Sequence, residues 1–214
     1  MRKKRLLDLF CGAGGASVGY YRAGFEVVGM DIKTQRHYPF AFIQADALNL
    51  SIDLEKFDAI HASPPCQAYS AATPRQAKSH HPDLIPHVRN LLENSRKAYV
   101  IENVVGSPLK GIILCGTMFG LKDESENIWL RRHRVFESSI LLMSFGGCFC
   151  DRVNTAYVTG HMGKLNRHKT HGIKSGTENA RKLMGIDWMT NAEIVESIPP
   201  SFTEFIGKQL LQVL

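Results

Sequence analysis

An α/β protein built on a parallel sheet is what this sequence predicts, and three observations carry the prediction. Short apolar runs alternate with helical patterns through the first half of the chain, the arrangement of βαβ units. The first run, Leu6-Leu7-Asp8-Leu9-Phe10, opens into a glycine-rich turn, Cys11-Gly12-Ala13-Gly14-Gly15. Two later runs end in residues that carry chemistry: 57–62 leads to Pro64-Pro65-Cys66-Gln67, and 98–101 to Glu102-Asn103-Val104. With 214 residues, 44% of them hydrophobic, the chain can bury one sizeable core and a small appendage.

The first strand, expected over 5–10, follows the cationic start Met1-Arg2-Lys3-Lys4-Arg5, which imitates a signal peptide until Asp8 interrupts the apolar run. Further strands are expected at 26–30, 42–45, 57–61 and 98–102. The best helical pattern runs from Asp83, a plausible N-cap, to Ser95, with Leu84, Ile85, Val88, Leu91 and Leu92 recurring on one face. The stretch 110–121 is mixed in character. A strand at 132–138 sets Arg132 and Arg134 on the same side, because alternate residues share a face. From 143 to 176 glycines break the periodicity, and beyond it Thr190 with Glu193 and Ser201 with Glu204 read as capping boxes opening two short helices. The expected organisation is a catalytic unit at 1–142, a loop-rich basic insertion at 143–176 and returning helices at 177–214.

The net charge of +6 is unevenly placed. Ten Lys and Arg lie between Arg131 and Lys182 against Glu137, Asp151 and Glu178, which leaves the remainder close to neutral. A neutral half joined to a basic segment suits a phosphate backbone, although a solvated surface without a partner has the same composition. No apolar run is long enough to span a bilayer. Five cysteines at irregular spacings describe no disulfide framework, so a reducing cytoplasm is expected. Cys148, Cys150, His161, His168 and His171 crowd the insertion, but Cys-x-Cys with these histidine spacings is not a standard finger, and no metal ligands are assigned.

Cys66 stands just past a strand end, where open α/β sheets keep their sites. Pro64 and Pro65 stiffen the turn that aims it. Gly12, Gly14 and Gly15 let a ligand lie against the backbone where strand becomes helix. A phosphate-binding P-loop would need a Lys-Ser/Thr ending, which is absent, whereas a dinucleotide fold competes, since Asp31 comes some twenty residues later, as a ribose-binding carboxylate would.

Taken in order, the glycine-rich turn, Pro64-Pro65-Cys66-Gln67, Glu102-Asn103-Val104 and Arg132-His133-Arg134 resemble the motifs of the cytosine-C5 DNA methyltransferase family. The stretch Ile198-Pro199-Pro200-Ser201-Phe202-Thr203-Glu204-Phe205-Ile206-Gly207 is similar to the closing motif of its small, phage-type members. The resemblance implies a Rossmann-like sheet and decides for S-adenosylmethionine, held by Asp8, Phe10, Cys11, Gly12, Gly14, Gly15, Asp31, Ile32, Ala47 and Pro64, with Asp46 accepting from the adenine amino group. It implies covalent catalysis: the Cys66 thiolate adds to C6 of cytosine, and Glu102, its pKa raised by burial, serves N3. Asn103 would orient the strand end, Arg134 would hold the cytosine O2, and Arg132 would reach the Cys66 region or DNA. The target atom is hidden in a duplex, so the base must be flipped. The segment 68–82 is expected to close over it, with Pro65, Gln67, Ser70, Arg75 and Lys78 on the substrate side.

The chain departs from the family in two places. Leu130 stands where a glutamine usually precedes the Arg-x-Arg element, and the Gly-Asn-Ser of larger bacterial members is missing. With about 35 residues for target recognition, short sequence specificity is expected, or reliance on an accessory protein or an oligomer. The alternatives are an RNA or nucleotide methyltransferase, a silent DNA-binding relative and a nicotinamide oxidoreductase.

Overall fold

The computed structural model describes residues 2–159, 170–174 and 178–214. In chain order the elements begin β1 (Arg5–Leu9), α1 (Gly15–Ala23), β2 (Glu26–Asp31), β3 (Ala41–Gln44), β4 (Ala59–Ala62), α2 (Ile85–Ser95) and β5 (Ala98–Asn103). They continue with β6 (Ile112–Leu114), β7 (Lys122–Asp123), β8 (Ile128–Leu130), β9 (Arg134–Ser138), β10 (Thr155–Thr159) and β11 (Thr170–Lys174), and close with α3 (Glu178–Met184), α4 (Asn191–Glu196) and α5 (Pro200–Val213).

The large sheet has seven strands in the order β3-β2-β1-β4-β5-β9-β6, parallel except for β9, which runs antiparallel to both neighbours. Side chains alternate between two buried layers. Leu6, Val27, Ala59 and Val100 face α1 and α5, whereas Leu7, Val28, Ile60 and Ile101 face α2. Burial on both faces explains why these strands read as unbroken apolar runs. α1 packs closely on α5 because Gly19 carries no side chain: a Cβ there would stand 2.1 Å from the Pro200 carbonyl oxygen. Thr203 Oγ1 donates to the Ala16 carbonyl at 2.8 Å in the same contact. The basic start is neutralised locally, since Arg2 and Lys4 both pair with Asp58.

A second sheet, β11-β10-β8-β7, has its own small core, in which Leu130, Ala156 and Val158 meet Ala180, Leu183 and Met184 of α3. It draws strands from both sides of the expected boundary at 142, because β7 and β8 are too short to give a periodic signal. Leu130 is fully buried in this core, which accounts for an apolar residue at that position. Thr190 and Glu193 form the expected capping box. Ser201 does not cap a helix: α5 starts at Pro200, runs 14 residues and leaves the Ser201 hydroxyl buried without a partner. The proline supplies the helical φ at the first turn, and no cap is needed to set the start. α2 begins after Leu84, with Asp83 Oδ1 accepting from Ile85 N at 3.2 Å. Among the described residues no helix is long and apolar enough to cross a membrane.

Candidate active site

Strand register gathers the functional residues. Leu9, Ala62 and Ile101 are level across β1, β4 and β5, so the turns that follow them emerge side by side. β9 enters antiparallel with Val135 opposite Asn103 and Phe136 opposite Glu102, which delivers Arg134 to the same edge.

Glu102 is buried, and its carboxylate meets Arg134 Nε at 3.0 Å. Burial raises the Glu102 pKa, and Arg134 and the Ser63 hydroxyl draw it part of the way back. Behind them lies a chain that sequence reasoning missed. The Tyr20 hydroxyl is 2.9 Å from His61 Nδ1, and His61 Nε2 is 2.9 Å from Ser63 Oγ. Burial holds the His61 pKa down to about 3, so the ring is neutral. One tautomer satisfies every member: Tyr20 donates to Nδ1, Nε2–H donates to Ser63, and Ser63 donates to Glu102. Ser63 is the visible clue, a hydroxyl between a strand and Pro64-Pro65.

Cys66 is half-buried and free. Desolvation raises its pKa, the Arg134 guanidinium lowers it, and Glu102 works against the thiolate. Its turn is clamped from β5: Asn103 Nδ2 donates to the Pro64 carbonyl at 2.9 Å, and Asn103 Oδ1 accepts from Val104 N. The loop beyond folds back on the turn, with Ser70 N donating to the Cys66 carbonyl at 2.9 Å. Pro65, Gln67 and Arg75 are exposed, Ser70 Oγ accepts from Ala72 N, and Lys78 Nζ is turned inward to the Tyr69 carbonyl at 3.1 Å.

The structure separates the two arginines. Arg132 is buried, and its guanidinium donates to the Val158, Val195 and Ser197 carbonyls. It therefore joins the second sheet to the turn before α5 through its hydrogen bonds, while its charge still helps to lower the Cys66 pKa. These carbonyls lie far along the chain, so nothing in the local sequence announces them.

The turn after β1 leaves room for a ligand against its backbone. Phe10, Gly12 and Gly14 all have left-handed backbones, and the space over Gly12 is open, with nothing within 4 Å of where a Cβ would stand. Asp31 Oδ2 accepts from Gly12 N at 3.1 Å and Oδ1 from Lys33 N at 2.9 Å, which leaves each oxygen a lone pair for a sugar hydroxyl. The neighbouring Ile32 is 65% exposed, an apolar side chain without a protein partner proportionate to its size. Asp46 accepts from Leu48 N and Asn49 Nδ2, and Ala47 is buried beside it. Asp8 is fully buried beneath the turn and accepts from Ser17 Oγ; burial pushes its carboxyl up to about 7. Cys11 is buried, and desolvation raises its thiol pKa far above the usual range, so it is a packing residue of the turn. Of the histidines in the insertion, His161 and His168 lie outside the described residues, and His171 enters β11 through its backbone.

Residues 4–107 match the family model described as C-5 cytosine-specific DNA methylase. M.FnuDI, a Type II methyltransferase of Fusobacterium nucleatum, is 35% identical over 112 residues, covering 48% of this chain and 33% of the relative. M.AgeI, a Type II methyltransferase of Thalassovita gelatinovora, is 30% identical over 120 residues, covering 48% and 28%. The chain thus spans about a third of the length of the curated relatives it matches. Among solved structures, a protein described as a DNA modification methyltransferase encoded within an E. coli prophage superposes with a TM-score of 0.64 at 16% identity, covering 98% of this chain and 99% of that one. The S. pombe Dnmt2 methyltransferase gives 0.56 at 15%, covering 99% of each. At these identities the likeness is one of fold.

Proposed function

We propose that this chain, whose residues 4–107 match the C-5 cytosine-specific DNA methylase model, is a member of that family and methylates C5 of a cytosine flipped out of double-stranded DNA. The observation that carries the reading is the meeting of Cys66, Glu102 and Arg134 at one sheet edge, with Glu102 and Arg134 at 3.0 Å. S-adenosylmethionine, held by the Gly12 turn, Asp31, Ile32 and Asp46, supplies an electrophilic methyl group.

The residues of the chain do the rest. The Cys66 thiolate forms a bond to C6 and leaves C5 electron-rich. Addition gathers charge on N3 and O2 of the ring; once C5 has taken the methyl group, its proton leaves to water and the C6–sulfur bond breaks, which releases the Cys66 thiolate and restores aromaticity. Glu102, buried and raised in pKa, holds a proton toward N3, and the Ser63–His61–Tyr20 chain keeps its carboxyl oriented. Arg134 acts twice, favouring the thiolate before addition and offering donors to O2 afterwards. Asn103 fixes the turn that aims the sulfur. The excess positive charge between Arg131 and Lys182, apart from the buried Arg132 and the site's Arg134, supplies contacts to phosphates, and a free Cys66 suits a reducing cytoplasm.

The test is mass spectrometry of nucleosides from unmethylated duplex DNA incubated with methyl-labelled S-adenosylmethionine. Labelled 5-methylcytosine that disappears with Cys66→Ser is the expected result. Label on RNA alone, or none on any nucleic acid by protein that binds the cofactor, overturns the reading.

A further inference from the structure

Four side chains from separate parts of the sequence converge outside the catalytic edge. Cys115 follows β6, His133 sits between the two arginines, and Cys148 and Cys150 open the insertion. Their donor atoms all lie within 4.8 Å of one another. His133 Nε2 is 3.3 Å from Cys148 Sγ and 3.7 Å from Cys150 Sγ. We propose that this cluster is a structural zinc site with three sulfur ligands and one imidazole, a site that the methyl-transfer reading neither needs nor implies.

The chemistry of the donors favours zinc. Three thiolates and one imidazole make a closed tetrahedral set with no position for water, as structural zinc sites require. Zinc–sulfur bonds of about 2.3 Å place tetrahedral ligands about 3.8 Å apart, so the cluster needs only a small contraction around an ion. The outer contacts suit thiolates as well. The Thr117 hydroxyl lies 3.6 Å from Cys115 Sγ and 3.5 Å from Cys148 Sγ and can donate to either, and Cys150 N donates to Cys148 Sγ at 3.4 Å. Hydrogen bonds of this kind orient metal-bound sulfur and spread its charge. Cys115 and Cys150 are buried, so the ion would be largely shielded from chelation. Spacing within the insertion gives no sign of the site because two of its four ligands lie outside the insertion.

The position explains what such an ion would do. The insertion is tied down at its start, where Phe145 packs edge-on against Phe119 and Phe205, but Cys148 beyond it is exposed in a loop-rich stretch of the kind that needs a staple. An ion held here ties the insertion to the end of β6 and to His133, and so fixes the backbone between Arg132 and Arg134.

The experiment is metal analysis of untagged protein purified under reducing conditions without added zinc, followed by X-ray absorption at the zinc edge. About one zinc per chain with a first shell of three sulfurs and one nitrogen is expected. Cys66→Ser should keep the metal, and Cys115→Ser and Cys148→Ser should lose it. His133→Cys should retain it with a shell of four sulfurs, a result that unfolding could not imitate. A substoichiometric metal content, an oxygen-rich shell, a disulfide joining any two of the three cysteines, or zinc retained in Cys115→Ser would overturn the proposal.

Discussion

The two sheets are specified in different ways. In the large one, β1, β2, β4 and β5 are four to six residues long, buried on both faces and locked in register by parallel neighbours. Its polar residues are few and each has a place: Asp8, His61, Glu102 and Asn103 all sit at or beneath the edge where the chemistry gathers. In the small sheet, β7 and β8 have two and three residues, and the core is a single layer against α3. Its attachment depends on polar ties, above all the three carbonyls that Arg132 collects. Under the proposed function, a groove that accepts many sequences tolerates thin packing, whereas a nucleophile that must be aimed does not. The family match stops at residue 107, within the half where packing dictates sequence.

If that contrast is right, substitutions in the two regions should separate rate from stability. The largest effect is expected from Glu102→Gln, which keeps the shape of the site and removes the acid. Methyl transfer should fall about 10²- to 10⁴-fold while the melting temperature holds or rises, as assayed by label incorporation and calorimetry. A fall in both would mean that the charge is a structural necessity. Arg132→Gln should do the reverse. Losing charge-assisted hydrogen bonds to buried carbonyls costs about 3 kcal/mol, and the measurement is urea unfolding followed at Trp129 and Trp188. Wild-type stability in this variant would mean that the small sheet is held by other contacts.

Asn103→Ala removes a hydrogen bond from the Pro64 carbonyl and tests whether the turn is clamped from β5. A cost of about 1–2 kcal/mol is expected, with the reaction slowed and cofactor affinity kept, as read by single-turnover rates and calorimetric titration. The smallest effect is one of position along the pH axis. Arg134 lowers the Cys66 pKa, so Arg134→Gln should move the midpoint of iodoacetamide alkylation to higher pH; Glu102→Gln, which removes the negative charge that Glu102 carries once it ionises on the way to that midpoint, should move it lower. Both shifts in one direction would show that Arg134 and Glu102 do not face the sulfur independently.

Much of the large sheet was legible because burial on both faces leaves apolar runs, as in Val27-Val28 and Val100-Ile101. The same rule hid His61, whose polarity is absorbed by Tyr20 and Ser63 within an otherwise apolar strand. Cys66, Glu102, Asn103 and Arg134 were legible because they cluster at strand ends, and register alone brings them together. Arg132 was not, since its partners are backbone atoms, which carry no sequence signature. Ser201 misled because its distance from Glu204 imitates a cap, while Pro200 sets the helix start.

The clasp between α1 and α5 bears on how the protein is made. Thr203 reaches back 187 residues to Ala16. Translation at roughly 5–20 residues per second puts roughly ten to forty seconds between the appearance of the two partners. Throughout that interval Tyr20, Phe25 and Leu6 have no cover on one side, although the strands beneath them can already pair. The nascent chain therefore exposes apolar surface of the kind chaperones bind until α5 arrives, and the pace of synthesis through the basic insertion sets how long that exposure lasts.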